Sequence, residues 1–219
     1  MLQDINVFFS AIAMDTPPEQ QAATPQNVPS VRPHIIHMAC PVTQTSVQVL
    51  HNVTLGAIAQ GATSIDLRMS SEGGNLAAGF AAYGLLTSLP IPVHTHNNGN
   101  VESVAVLIYL AGSERTVAAH GRFVLHPLNW ALGNGSVDHS RLIEWSDSLN
   151  FDRNRYCAIF QQATQGAESP IDVLQCLKNE ALIIGPAAAR AAGITTRAVS
   201  TDSHTLPSEN IVHWWVDRF

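Results

Sequence analysis

Charge is scarce in this sequence. Asp, Glu, Lys and Arg make up 13% of its 219 residues, against a usual share of roughly a quarter, so part of the surface is expected to be covered by other subunits. Lysine occurs once, at Lys178, and acidic residues outnumber basic ones 17 to 11 for a net charge of −6. No run of Lys and Arg forms the stripe that a phosphate backbone requires, which argues against nucleic acid as a partner. Cysteine is scarce too: Cys40, Cys157 and Cys176 are odd in number and far apart, with no Cys-x-x-Cys pair. Neither a disulfide framework nor a zinc knuckle is expected, and a reducing cytoplasm fits best. No apolar run approaches the ~20 residues that cross a membrane. The first residues, MLQDINVFFSAIAM, carry Asp4 where a signal peptide would carry Lys or Arg, so a soluble, cytoplasmic protein is expected. A Gly-x-x-x-x-Gly-Lys-[Ser/Thr] loop is also missing, so any use of ATP belongs to a partner.

What is present is apolar sequence, 46% of the chain, enough for one substantial core in a single domain. Residues 15–33 contain Pro17, Pro18, Pro25, Pro29 and Pro33 and few core candidates, so residues 1–33 are expected to be a flexible arm and 34–219 the folded domain. Beyond the arm, short β-branched runs alternate with Ala-rich helical ones. The pattern predicts strands over residues 35–40, 64–69, 91–96, 122–126 and 194–200. It predicts helices over 48–60, 75–89, 138–164 and 187–192, with Asn75 as an N-cap and Pro90 and Gly193 as stops. Residues 103–112, SVAVLIYLAG, are apolar on all sides and read as a buried helix. Repeated strand-helix-strand units predict an α/β fold with a mainly parallel sheet. In the long helix, Leu142, Leu149 and Tyr156 recur every seven residues, a stripe that packs on its own domain or on another subunit.

Several polar residues fall where chemistry is done. In SSEGGN, residues 70–75, Gly73 and Gly74 lie between a strand and a helix, so their N–H groups can point into a site with no side chain in the way. Ser103 follows the polar loop of residues 97–102 and opens the buried helix. Its hydroxyl then sits at the positive end of the helix dipole, with the Val104 N–H free to hold an oxyanion; a plain N-cap serine would occupy the same position. His126 ends the strand RFVLH before Pro127, at the carboxyl edge where open α/β sheets bind ligands. Glu180, just ahead of ALIIG and Pro186, is the best candidate to orient that imidazole, with Asn179 and Asp172 as alternatives. His94 and His96 share one face of a strand, and with Glu102 they make a rival metal set. Neither a metal nor a cofactor is expected.

Taken in order, these segments resemble the proteolytic subunit of the Clp proteases from about residue 35 to 194. LRMSSEGGNLAAGFAAYGLL is similar to the family's strand, Asn-Ser-Pro-Gly-Gly turn and small-residue helix. SVAVLIYLAG is similar to its Ser-Met-Gly-Ala nucleophile segment, and FVLHPL to its strand ending in the catalytic His. The family's third residue, an Asp six positions before a Pro, falls on Glu180. The resemblance implies a crotonase-like fold and a long handle helix over 138–164 that interlocks two rings. It further implies a ring-shaped homo-oligomer that cuts peptides or unfolded proteins, with an AAA+ unfoldase as partner. Ser103 is then the nucleophile, His126 the base and Glu180 the orienting acid, with Gly73, Gly74 and Val104 lining the oxyanion hole. The sequence departs from the family at Glu72 for Pro, at Val101 and Glu102 before the nucleophile, at Val104-Ala105 for Met-Gly, and at Glu180 for Asp. The competing readings are a ring component whose site has decayed, a Ser-Lys dyad using Lys178, and a crotonase-type acyl-CoA enzyme that needs only the backbone N–H groups.

Overall fold

The computed structural model describes residues 33–129, 136–197 and 211–216. The expected arm, residues 1–33, falls outside them except for Pro33, whose carbonyl accepts from Val212 N at 3.0 Å. β1 (His34–Met38) leads into α1 (Gln44–Ala59), β2 (Ile65–Ser71) into α2 (Leu76–Thr87), and β3 (Val93–Glu102) into α3 (Ala105–Leu110). β4 (Glu114–Val117), β5 (Arg122–Leu125), α4 (His139–Ala163), α5 (Val173–Lys178), β6 (Leu182–Ile184), α6 (Pro186–Ala191) and β7 (Val212–Val216) follow. The sheet runs β6-β5-β3-β2-β1-β7 with β4 attached to β3, and every described pairing is parallel except that of β6 with β5. This is the α/β class that the alternation of runs implies.

Local chemistry fixes the helix starts. Thr43 Oγ1 accepts from Ser46 N at 3.0 Å while Ser46 Oγ accepts from Thr43 N at 2.9 Å, a reciprocal cap that starts α1 four residues ahead of the predicted helix. Asn75 Oδ1 accepts from Ala78 N at 2.8 Å, as its position before an Ala-rich run requires. Asp138 caps α4 in the same way, accepting from Arg141 N at 2.9 Å.

Two expectations need correction. Residues 97–102 are not a loop: β3 continues through them, pairing its first half with β4 and its second with β5. The polar side chains are compatible with a strand because Asn98 and Asn100 point outward while Asn97 and Val101 are buried. At the fork, Asn97 Nδ2 donates to the Arg122 carbonyl and its Oδ1 accepts from Gly99 N, both at 2.9 Å, replacing ladder bonds lost where the partner strand changes. The second correction concerns the strand expected over 194–200. Residues 194–197 form a turn after α6, and 198–200 lie outside the described residues. The buried Arg115 guanidinium takes the Gly193 and Ile194 carbonyls at 3.0 and 2.7 Å, so they are not available for a ladder. The strand on that side of the chain is instead β7, beside β1.

The core lies under the helix-covered face, where Ile36, Met38, Leu67, Met69 and Phe123 belong to one buried cluster with the wholly buried α3. α4 joins it only in its second half, through Tyr156, Cys157 and Phe160. Further toward its start Leu142, Ile143 and Phe151 stay exposed, so the apolar stripe is split between its own domain and an uncovered surface. No helix among the described residues is long and apolar enough to cross a membrane.

Candidate active site

Ser103 stands between the end of β3 and the start of α3 with φ 55°, the one non-glycine residue at positive φ among those described. An L-residue pays roughly 1–2 kcal/mol for that conformation, and strained strand-to-helix turns of this kind lift a serine hydroxyl out of the sheet edge. The N-cap of α3 is Val104, with no side-chain cap bond, so Ser103 is not serving as the helix cap that position alone allowed. Its backbone is held on three sides. Ser103 N donates to the Val124 carbonyl at 2.8 Å, while its own carbonyl accepts from Val106 N at 3.1 Å and from the Tyr156 hydroxyl at 2.9 Å.

The glycine turn packs directly on this serine. A Cβ on Gly73 would lie 2.7 Å from Ser103 Cβ and 2.8 Å from the Glu102 carbonyl, and one on Gly74 would lie 2.4 Å from the Val42 carbonyl. Both residues have positive φ, 89° and 143°, so glycine is required for space and for conformation alike. Val42 clamps the turn by donating to the Gly73 carbonyl at 2.8 Å and accepting from Asn75 N at 2.7 Å. Of the expected oxyanion donors, the Gly73 N–H is directed at Ser71 Oγ, 3.2 Å away. The Gly74 and Val104 N–H groups have no hydrogen-bond partner among the described residues.

His126 follows β5 directly, two residues beyond the carbonyl that holds Ser103 N, so both residues sit at one carboxyl edge of the sheet. His126 is half-buried, and its Nδ1 lies 2.9 Å from the Pro127 carbonyl. A carbonyl only accepts, so Nδ1 carries the proton in this contact, and in the neutral ring the lone pair is then on Nε2. The antiparallel register of β5 and β6 pairs Leu125 with Leu182, which sets Glu180 beside the chain that leaves β5, and Leu128 N donates to the Leu177 carbonyl at 3.2 Å. The Glu180 side chain is exposed, and among the described residues it makes no hydrogen bond or ion pair. Asn179 and Asp172 are no nearer the role. Asn179 is exposed, and Asp172 caps α5 by accepting from Gln175 N at 3.1 Å. No hydrogen bond joins Ser103, His126 and Glu180 among the described residues.

The charge next to the serine is compensated. Glu102 Oε1 accepts from Arg122 Nη2 at 2.7 Å and from its Nε at 3.2 Å, so the carboxylate does not face a developing oxyanion unpaired. Exposed Glu72 occupies the position before the glycines. Lys178 is exposed at the end of α5 and bonds nothing at Ser103. The metal set does not assemble: His96 Nδ1 lies 2.7 Å from Thr116 Oγ1, and no group of three His, Cys, Asp or Glu able to hold a metal occurs among the described residues. Sequence reasoning missed Arg122, Ser71 and, above all, Tyr156, whose only sequence signal was its place in the seven-residue stripe of α4.

The comparisons with known proteins agree on one fold. The sequence model for "Clp protease" matches residues 30–164, a span that holds Gly73, Gly74, Ser103, His126 and α4 and stops before Glu180. No curated protein sequence matches. Among solved structures, a mutant of ClpP1 from Listeria monocytogenes superposes with a TM-score of 0.65 at 16% identity, over 75% of this chain and 90% of that one. Identity that low carries the fold alone.

Proposed function

Because this chain belongs to the Clp protease family, we propose that it is a serine endopeptidase acting through an acyl-enzyme on Ser103. The observation that carries the proposal is the pairing of a strained Ser103 with Gly73 packed against its Cβ. In the proposed reaction, His126 Nε2 takes the proton of Ser103 Oγ as the oxygen bonds to the substrate carbonyl carbon. The Gly74 and Val104 N–H groups hold the oxyanion. His126 then gives its proton to the leaving amine as the C–N bond breaks, and water releases the acyl group by the same steps in reverse order. Glu180 is proposed to swing to His126 Nδ1 in place of the Pro127 carbonyl, its longer side chain reaching from a backbone set one register step away.

The test is labelling by a fluorophosphonate probe. Wild type is expected to react, and Ser103→Ala and His126→Ala to lose on the order of 10⁶ in turnover; equal labelling of wild type and Ser103→Ala overturns the assignment. One specific observation supports a second reading, a ring component with a decayed site: no bond links the three proposed catalytic residues. A folded oligomer inert to every serine probe favours that reading.

We further propose that residues 34–219 form the peptidase domain, with residues 1–33 as an arm, and that the protein works as a ring homo-oligomer on peptides or unfolded proteins fed by an AAA+ unfoldase. The exposed Leu142, Ile143 and Phe151 of α4 support the assembly, since apolar side chains grouped on a surface helix mark interaction sites. The free thiols of Cys157 and Cys176 support a cytoplasmic setting.

A further inference from the structure

We infer that Tyr156 is a positioning residue for the oxyanion hole, acting through the peptide plane between Ser103 and Val104. The inference rests on Ser103 being the nucleophile. Tyr156 comes from α4, 53 residues further along the chain, and is fully buried, with its hydroxyl 2.9 Å from the Ser103 carbonyl. That carbonyl and the Val104 N–H belong to one planar trans unit and point in opposite directions. Holding the carbonyl toward α4 therefore aims the N–H away from α4. A hydrogen bond to the carbonyl also polarises the amide and strengthens its N–H as a donor.

The hydroxyl has a second effect. Ser103 is at φ 55°, and relaxation of that strain would rotate the same peptide plane, so a donor fixed in a packed helix opposes the relaxation. Burial raises the Tyr156 phenol far above its ordinary value, with Cys157 and Cys176 adding to the effect, so it stays a donor across any working pH. The second donor to this carbonyl, Val106 N at 3.1 Å, lies within the same turn and moves with it. Ser103 N is tied to β5 through the Val124 carbonyl, but Tyr156 is the contact that references the Ser103 carbonyl itself to a separate element.

Tyr156→Phe keeps the ring in its buried place and removes only the donor. The control is Tyr109→Phe, which removes an equivalent buried phenol bond, to the Thr116 carbonyl at 2.8 Å, without touching the Ser103–Val104 peptide. Both full-length variants are compared with wild type for fluorophosphonate labelling rate, kcat and KM on a peptide substrate, affinity for a peptide boronate, melting temperature and native mass. For Tyr156→Phe, labelling and kcat are expected to fall about tenfold, as for one weakened oxyanion donor. Boronate affinity should fall by the same factor and KM should stay near the wild-type value. Tyr109→Phe should show lowered melting without that selective loss. Equal kcat, labelling and boronate affinity in the two folded variants overturns the inference. A wild type that no probe labels overturns the nucleophile assignment instead, so the two failures are distinguishable.

Discussion

Gly73→Ala is the sharpest test of the geometry around Ser103. The added Cβ would lie 2.7 Å from Ser103 Cβ, 2.8 Å from the Glu102 carbonyl and 3.3 Å from Ser103 Oγ, on a backbone at φ 89°. The conformation alone costs an alanine roughly 1–2 kcal/mol. The contacts add about 1–3 kcal/mol, because two of them involve Ser103 Cβ and a backbone carbonyl, which cannot swing aside as the end of a flexible side chain can. The expected destabilisation is therefore about 2–5 kcal/mol, and at roughly 2–4 °C per kcal/mol for a chain of this size the melting temperature should drop by about 4–20 °C. Gly61→Ala separates the two contributions: its φ is 88°, but nothing lies within 4 Å of the added Cβ, so it should lose only the conformational part. Thermal denaturation of both variants, with fluorophosphonate labelling at a temperature where both are folded, gives the comparison. Gly73→Ala should melt well below Gly61→Ala and label far more slowly, since Ser103 can escape the contact only by leaving its turn. If the two melt together and label alike, Gly73 does not pack on Ser103 and the reasoning fails.

Two further outcomes follow from polar groups away from the serine. The Arg115 guanidinium donates to the carbonyls of Gly112, Ala163, Gly193 and Ile194 at 2.7–3.0 Å, so Arg115→Met should cost at least about 3 kcal/mol in urea denaturation by stranding several acceptors; a loss below about 1 kcal/mol would contradict this. His37 Nε2 lies 2.9 Å from His213 Nδ1, and burial, then His213 and Arg68, hold the His37 pKa below its ordinary 6.5, with Asp66 opposing. The unfolded chain then binds the extra proton first, so the His37 contribution is intact above about pH 6.5 and is lost as pH falls through the lowered folded value. From about pH 7 to about pH 5 the melting temperature of wild type should fall more than that of His37→Gln, and parallel curves would count against the coupling.

The elements whose period and caps are local were legible in advance. Asp138 and Thr164 bound α4, Asn75 caps α2, and Ala105 to Leu110 are all buried, each a consequence of spacing within one segment. β4, β6 and β7 were not legible: β1 and β5 are as short but bury consecutive residues, whereas these three strands bury at most alternate ones and so carry no buried run. Residues 97–102 were misread because side-chain polarity reports solvent exposure, whereas a strand at a sheet's fork needs only one apolar face and a buried amide such as that of Asn97.

For the site, the sequence by itself determined the residue types and their order: paired glycines after a strand, a serine before a buried helix, a histidine at a strand end. These are set by what single turns of chain can do. Only the tertiary structure decided that Gly73 touches Ser103, that Arg122 neutralises Glu102 and that Tyr156 holds the Ser103 carbonyl. It also leaves Glu180 turned to solvent. Such contacts join segments up to 53 residues apart, and packing selects them after the local elements have formed, so no spacing rule along the chain encodes them.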